Sequence, residues 1–239
     1  MIHQENFRIN SHDCDFKGEL LPGAALRVMQ ETANLQLERL GPTNDELRRD
    51  GKAFVISRLS MSLYRPILAY DEVRGETWAS DSRGVIFNRC SRIFRGEDLV
   101  AELVSAWALI DINDRHFYRV NDVEFGFSTE SKMLELDLPT RIRIPDAAEL
   151  SLKGEYTVSY RDTDKNMHLN NTHYVDMFCD FLPDNKNERV VSLSLNFHTE
   201  AEYGATVKIY RGEHDGAYYF RSVKQNGDVN AEAMIITEK

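Results

Sequence analysis

The clearest apolar pattern in the first half of the chain has the period of a helix. Pro22-Gly23 opens a stretch in which apolar residues recur at steps of three and four, and Gly41-Pro42 ends it. Ala24 and Ala25 widen the apolar surface, so we expect this helix to be buried on more than one side. Its predicted inner face consists of Leu26, Met29, Ala33, Leu37 and Leu40.

Alternating residues predict strands on both sides of this helix. A short strand is expected within 7–15, and 43–50 is typical of a short exposed helix capped by Thr43 or Asn44. One long helix followed by a run of strands predicts an α+β domain, with an antiparallel sheet packed on the helix. The longer strands are expected at Ala53–Tyr64, Asp71–Ser80, Val85–Arg95 and Leu99–Ile112.

The same order of elements returns in the second half. Tyr156–Tyr160 predicts a strand, and a polar loop then leads into a second helix over about Thr172–Phe181, limited by Pro183. Further strands are expected at Val190–Phe197, Thr206–Glu213, Ala217–Lys224 and Ala231–Thr237. Residues 131–150 have little periodicity and predict a linker between an N-terminal domain, 1–130, and a C-terminal domain, 151–239.

The two halves align with one fixed offset of 149 residues. A period this long indicates a domain duplication rather than a solenoid. The aligned pairs are Phe7 with Tyr156, Asp13 with Asp162, Asp15 with Asp164, Leu20 with Leu169, and Leu26 with Val175.

Composition narrows the class of protein. The 239 residues are 42% hydrophobic and 28% charged, which is typical of a globular chain. The net charge of −10 argues against nucleic-acid binding, and the longest apolar runs are too short for a membrane span. No secretory or transit signal is recognisable at the N-terminus, so a cytoplasmic location is expected. Cys14, Cys90 and Cys179 form no CxxC pair and are interpreted as reduced thiols, with no metal or other cofactor expected.

The segment with the most chemistry precedes the second helix. Asp164, Asn166 and His168 are two residues apart, so in an extended chain their side chains point to one side. The helix, capped by Asn170 or Asn171, would add N–H groups and a partial positive charge. Such a site suits the oxyanion that forms when a thioester carbonyl is attacked.

Other interpretations of this segment compete. A calcium loop is disfavoured, because Met167 stands where that loop needs Gly and His173 where it needs Glu. A metal held by His168 and His173 is disfavoured by their five-residue spacing. An Asx-rich loop that only caps a helix remains open.

The segment DTDKNMHLNNTHY resembles the D-x-N-x-H-x-N-N-x-x-Y signature of acyl-acyl carrier protein (ACP) thioesterases of plants and bacteria. Leu193–Glu200 resembles that family's strand ending in a functional Glu, and Glu76–Trp78 and Ala106–Asp111 resemble family segments of the first half. The resemblance implies a tandem hotdog fold, in which each half is an antiparallel sheet wrapped around a long helix. It also implies hydrolysis of acyl-ACP to a free fatty acid in fatty acid biosynthesis.

By the same resemblance, Asp164, Asn166, His168 and Glu200 are the catalytic residues. Lys17 and Glu19 stand opposite Asn166 and His168 in the first half, so only the second half keeps the chemistry. The first half is expected to shape the acyl pocket, lined by Ala25, Met29 and Ala33 of its helix.

From these residue types, a water molecule is expected to attack the thioester, with Glu200 or His168 as its base. Asn166 would hold the oxyanion, and Asp164 would orient His168 or fix the loop. Ala201 follows the Glu where plant members have a Cys, which excludes a cysteine nucleophile there.

Two further departures from the plant pattern leave the pocket and substrate length open. Phe178 and its neighbours lack a Trp, and Arg89-Cys90-Ser91 replaces an R-D-W run.

The expected partner is the acidic carrier protein, which an acidic enzyme must meet with a local basic patch. Arg48, Arg49 and Lys52 form one short basic cluster, and Arg141 and Arg143 form another. The sequence leaves a homodimer open. An acyl-CoA thioesterase and a non-catalytic acyl-binding hotdog protein remain as alternative functions.

Overall fold

The computed structural model describes residues 1–130, 133–139 and 141–239. They form two compact units, Met1–Asp137 and Leu138–Lys239.

The boundary between the units falls within the predicted linker, 131–150, whose positions 131, 132 and 140 lie outside the described residues. Other parts of that segment are buried. Leu134 packs against Trp78 and Cys90 in the first unit, and Ile142 packs in the second.

The first unit is an antiparallel sheet with two helices. Its strands follow one another across the sheet in the order β1-β3-β4-β5-β2. The predicted strands after the helix agree with the observed ones to within about three residues. The elements are β1 (His3–Arg8), α1 (Pro22–Leu40), α2 (Asn44–Arg49), β2 (Lys52–Leu63), β3 (Glu72–Arg83), β4 (Ile86–Arg95) and β5 (Asp98–Asp111).

The strand predicted within 7–15 is displaced. β1 ends at Arg8, and Ser11–Asp13 form a turn of 3-10 helix. The side chain of Asn10 donates to Asp13 Oδ2 at 3.1 Å, and the Cys14 N–H donates to the Ser11 carbonyl. Short polar side chains that bond their own neighbourhood favour turns over strands, which explains the error.

The helix α1 crosses β1, β3, β4 and β5. Ala25 and Met29 are buried as predicted, but the buried face continues through Thr32 and Gln36, which are fully buried, while Leu40 is exposed. These positions share a helix face at the true period of 3.6 residues. Leu26 and Leu37 of the predicted face are buried as well, so the apolar pattern missed only the two polar members, Thr32 and Gln36.

Thr43 caps α2, as one of the two predicted caps. Its hydroxyl accepts from the Glu46 N–H at 3.1 Å, and Glu46 Oε2 accepts from the Thr43 N–H at 2.8 Å. This reciprocal pair is a capping box.

The second unit repeats the architecture with a shorter helix. The strand order is β7-β10-β9-β8-β6, all neighbours antiparallel. The elements are β6 (Ser151–Thr157), α3 (His173–Cys179), β7 (Arg189–Phe197), β8 (Thr206–His214), β9 (Ala217–Lys224) and β10 (Val229–Glu238).

Two predicted elements of this unit need correction. The strand predicted at Tyr156–Tyr160 lies earlier, because β6 ends at Thr157 and Tyr160–Asp162 form a 3-10 turn. The helix is seven residues long rather than about ten. After Cys179 the backbone tightens to bonds between residues three apart, since Pro183 disfavours a helical residue before it.

Aromatic contacts hold α3 on its sheet. Tyr174 meets the ring of Phe197 edge-on, with centroids 5.3 Å apart, and Phe178 packs on Phe220 at 5.4 Å. Each unit contains an antiparallel sheet and a helix packed on it, which confirms the predicted α+β class. No helix in the described ranges is long and apolar enough to cross a membrane.

Candidate active site

A tight loop carries the predicted Asp, Asn and His. Asp164 Oδ1 accepts hydrogen bonds from the N–H groups of Asn166 at 2.7 Å and His168 at 3.1 Å. The Asp164 N–H donates to the His168 carbonyl at 2.8 Å, and Met167 has a left-handed backbone with φ of 59°. The segment is therefore a turn, so the extended chain in which the three side chains would point to one side is not what forms here. Asp bonded to backbone N–H groups further along stabilises this turn.

Asp164 also holds the side chain of Asn166. Asn166 Nδ2 donates to Asp164 Oδ2 at 3.2 Å, and the Asn166 residue is exposed. Both oxygens of one carboxylate thus fix the loop and its amide.

Pairing with a second loop brings His168 to Glu200. The Leu169 N–H donates to the Ala201 carbonyl, and the Tyr203 N–H donates to the Met167 carbonyl, both at 2.8 Å. His168 Nδ1 then lies 3.9 Å from Glu200 Oε2. This exceeds a direct hydrogen bond but leaves the two groups adjacent. Their side chains are 26% and 45% exposed, so solvent reaches both.

A buried amide anchors the chain just before Glu200. Asn230 is fully buried, and its carbonyl accepts from the N–H groups of His198 at 3.0 Å and Thr199 at 3.2 Å. Its Nδ2 donates to the Thr199 carbonyl and, at 2.9 Å, to the hydroxyl of Tyr174. Sequence reasoning missed Asn230, because no spacing relates it to a segment 31 residues away.

Tyr174 links this anchor to α3. Burial raises the pKa of Tyr174 to about 12, so its hydroxyl keeps its proton at neutral pH. On the solvent side, Lys224 Nζ donates to the Glu200 carbonyl at 2.9 Å. The backbone around Glu200 is therefore held from two directions.

The start of α3 differs from the prediction. Asn170 Oδ1 accepts from both the N–H and the hydroxyl of Thr172 at 3.0 Å, and the Asn170 carbonyl accepts from the His173 N–H at 2.9 Å. Asn170 is thus the turn-forming one of the two predicted residues. The backbone N–H groups of Thr172 and His173 already donate to Asn170, so they are not the free N–H groups that were expected to bind an oxyanion.

The first unit contains a copy of this loop. Asp15 Oδ1 accepts from the N–H groups of Lys17 at 2.8 Å and Glu19 at 3.0 Å, and the Asp15 N–H donates to the Glu19 carbonyl at 2.8 Å. Gly18, with φ of 79°, stands in the left-handed position of Met167. The structure confirms the 149-residue repeat here, hydrogen bond by hydrogen bond.

The copy includes the second loop as well. The Leu20 N–H donates to the Ile67 carbonyl, and the Ala69 N–H donates to the Gly18 carbonyl. By this pairing Ile67 stands in the place of Ala201, so Pro66 stands in the place of Glu200. Lys17, Glu19 and Pro66 therefore stand where the second unit has Asn166, His168 and Glu200. Of these three side chains, only that of Glu19 carries a carboxylate, and none carries an amide or an imidazole.

The residues predicted to line an acyl pocket lie in the first unit. Ala25 and Met29 are each 1% exposed, and Ala33 is half-buried one turn further along α1. Across the described ranges, no group of three or more His, Cys, Asp or Glu side chains is arranged to hold a metal ion.

Two units, each an antiparallel sheet packed on a helix, define a tandem hotdog protein. The family model for the acyl-ACP thioesterase N-terminal domain matches residues 1–125, and that for the C-terminal domain matches residues 146–239. The chain belongs to the acyl-ACP thioesterase family.

Relatives and solved structures agree with this assignment. The chain is 20% identical over 219 residues to a chloroplastic palmitoyl-acyl carrier protein thioesterase of Cuphea hookeriana, covering 84% of this chain and 52% of that protein. It thus spans about half the length of the curated relatives it matches.

The fold is similar to that of an acyl-ACP thioesterase from Bacteroides thetaiotaomicron, with a TM-score of 0.87 and 20% identity over 99% of this chain and 98% of that one. It is also similar to the 12:0-ACP thioesterase from Umbellularia californica, with a TM-score of 0.85 and 16% identity over 99% and 97% of the two chains. These likenesses establish the tandem hotdog fold expected from the sequence.

Proposed function

We propose that this protein hydrolyses the thioester of acyl-ACP and releases a free fatty acid in fatty acid biosynthesis. The observation that carries the proposal is the approach of His168 Nδ1 to Glu200 Oε2 at 3.9 Å, beside a loop that presents Asn166. Membership of the family supports the choice of substrate.

Water is the nucleophile in this proposal. Glu200 or His168 removes its proton as the water oxygen bonds to the carbonyl carbon. Asn166 Nδ2 donates to the oxyanion. The carbon–sulfur bond then breaks, and the carrier thiolate takes up a proton. Ala201, which is fully buried, offers no thiol for a covalent route.

Asp164 has a positioning role in this scheme. Its oxygens are engaged by backbone and side-chain donors of its own loop. Asp15 makes the same backbone bonds in the first unit, where Lys17 and Glu19 replace the amide and the imidazole. In both units, therefore, one oxygen of the aspartate side chain shapes the loop, whether or not the loop carries chemistry.

The first unit would supply the acyl pocket through Ala25, Met29 and Ala33. The carrier would dock through basic side chains such as those of Arg48, Arg49 and Lys52, which attract an acidic partner. The cytoplasmic location and the homodimer stay predictions.

Hydrolysis of one acyl chain on two carriers tests this function. We expect release from ACP to be faster than from coenzyme A, and to be lost in His168→Ala and Glu200→Gln. Tyr203→Phe, at an exposed position of the same paired loops, serves as the control. Faster hydrolysis of the coenzyme A thioester would favour an acyl-CoA thioesterase. Binding without hydrolysis of either would favour an acyl-binding protein.

A further inference from the structure

The interior between α1 and its sheet is unexpectedly polar. An acyl pocket is usually lined by apolar side chains, with a few polar groups placed to fix the ligand. Here several hydroxyl and amide side chains lie in the layer under the helix, each at most 3% exposed. They are Thr32, Gln36, Thr77, Ser91 and Ser105.

Arg89 lies among these side chains, on β4. Its Nη1 donates to Gln36 Oε1 at 2.7 Å and to Thr77 Oγ1 at 3.2 Å. The guanidinium also stands over the ring of Phe127, 5.7 Å from its centroid. All of these partners are neutral.

Other arginines of β4 are paired differently. Arg92 Nε donates to Glu102 at 2.8 Å, and Arg95 Nη1 donates to Asp71 at 3.0 Å. Among the residues that the structure describes, none brings a carboxylate to Arg89. Burial lowers the pKa of Arg89 to about 10, so the group remains a cation at neutral pH without a counter-charge.

Gln36 adds an unmatched donor to this uncompensated cation. Its Oε1 accepts from Arg89, but its buried Nε2 has no acceptor in the described ranges. Buried donors without acceptors are rare in folded proteins and destabilise them. The Arg89 cation without a carboxylate and the Gln36 Nε2 without an acceptor, side by side, therefore require an explanation. Arg89 itself is half-buried, so part of it can be reached.

We propose that Arg89 and Gln36 bind an oxygen atom carried on the acyl chain, so that the substrate is a hydroxy- or oxo-acyl thioester. The inference rests on the proposed function, because it places the acyl chain along α1. Ala25, Met29, Thr32 and Gln36 follow one another on one face of that helix. Because Thr32 packs closely on Gly75 of β3, a chain that follows Ala25 and Met29 would pass beside Thr32 to reach the polar cluster at the end of this face.

The chemistry of the cluster selects an acceptor. A hydroxyl or carbonyl oxygen takes up a charge-assisted hydrogen bond from the guanidinium and one from the amide. An alkyl chain at the same place covers both donors and satisfies neither. A site built for a polar substituent rejects the analogue that lacks it more strongly than an apolar pocket rejects an extra group.

Binding of non-hydrolysable ligands tests this site. Pantetheine amides of one acyl length would be compared by calorimetry, unsubstituted and with a single hydroxyl or oxo group moved along the chain. We expect at least one substituted ligand to bind tighter by on the order of tenfold to a hundredfold, as for a hydrogen bond to a charged group. The double variant Arg89→Met/Gln36→Met should reduce that preference to about one.

Arg95→Met is the matched control, since it removes a guanidinium from the same strand outside the cluster. It should keep the preference. Replacing both members of a buried polar pair by apolar side chains of similar volume is compatible with folding, which thermal unfolding would verify.

The inference is overturned if no substituted ligand binds tighter than the unsubstituted one, or if the preference survives in the double variant. Hydrolysis of acyl-ACP is measured separately. If the protein hydrolyses acyl-ACP but binds no substituted ligand more tightly, the inference is wrong and the proposed function stands. If it binds a substituted ligand more tightly but does not hydrolyse acyl-ACP, only the proposed function is wrong.

Discussion

Asp164 and Asp15 make the same hydrogen bonds in the two units: each Oδ1 accepts from the N–H groups two and four residues later. Around Asp164 the loop carries Asn166 and His168, and around Asp15 it carries Lys17 and Glu19. The first unit keeps these hydrogen bonds although it has neither the amide nor the imidazole. The bonds therefore serve to shape the loop. Asp164 is thereby distinguished as a residue that shapes the loop, whereas Asn166 and His168 are the residues proposed to take part in the reaction.

Asp164→Ala should lower turnover by on the order of 10²-fold, because the loop no longer fixes Asn166 and His168. Asp164→Asn should retain an intermediate turnover, since its amide oxygen can accept the same two backbone bonds but its NH2 group cannot accept from Asn166 Nδ2. Asp15→Ala, the matched variant, should lower the free energy of unfolding without a specific loss of turnover. If Asp164→Asn is as inactive as Asp164→Ala, the second carboxylate oxygen and its bond to Asn166 matter more than the shape of the loop.

Asn166→Ala should lower turnover by on the order of 10²–10³-fold, the usual effect of removing one oxyanion donor. The residue is exposed, so the variant should fold normally. Lys17→Ala, at the equivalent position of the first unit, should leave steady-state rates unchanged. Near-normal turnover of a folded Asn166→Ala protein would contradict the assigned role.

Tyr174→Phe should lower the free energy of unfolding by about 1 kcal/mol, because Asn230 loses one of its acceptors in the core. Asn230 keeps its bond to the Thr199 carbonyl, so the chain before Glu200 should loosen without unfolding. We expect kcat to fall more than KM changes. An unchanged stability in urea unfolding would show that this hydroxyl contributes nothing to the anchor.

Cys14, Cys90 and Cys179 should be dispensable for hydrolysis. Burial raises the pKa of all three thiols, so at neutral pH they stay protonated and are poor nucleophiles. Each single Cys→Ala variant that folds should retain the wild-type rate, and iodoacetamide at neutral pH should not inactivate the protein. The prediction is refuted if alkylation of one of these thiols abolishes activity because the thiol itself is lost, and not because the attached group blocks the pocket.

Enlarging Ala33 or Ala25 should shift the preference toward shorter acyl chains, by several-fold per excluded methylene at about 0.8 kcal/mol each. Ala33→Leu is the better test, since Ala33 is only half-buried whereas Ala25 is 1% exposed and Leu there overpacks the core.

The measurement is the ratio of activities on short and long acyl-ACP. Leu35→Phe, at a half-buried position two residues further along α1 and so on a different face of the helix, provides the control. An unchanged ratio in a folded Ala33→Leu protein would place the acyl chain elsewhere.

Local patterns in the sequence were sufficient for most elements of the fold. Pro22 and Gly41 bound α1, the strands that follow the helix in each unit lie close to their predicted positions, and Asp15 and Asp164 mark the repeated loop. These features depend on near neighbours along the chain, where period and turn chemistry act. Two short elements were predicted wrongly: after Arg8 local side-chain bonds form a turn in place of the strand, and after Cys179 Pro183 ends the helix early.

Tertiary structure decided which distant groups meet. The approach of His168 to Glu200 results from pairing between two loops, and the anchoring of Thr199 by Asn230 joins segments with no periodic relation. The burial of Gln36 against Arg89 likewise depends on which face of α1 packs on β4. A sequence specifies such contacts only through the whole fold, because hydrogen bonding and burial depend on neighbours in space rather than along the chain.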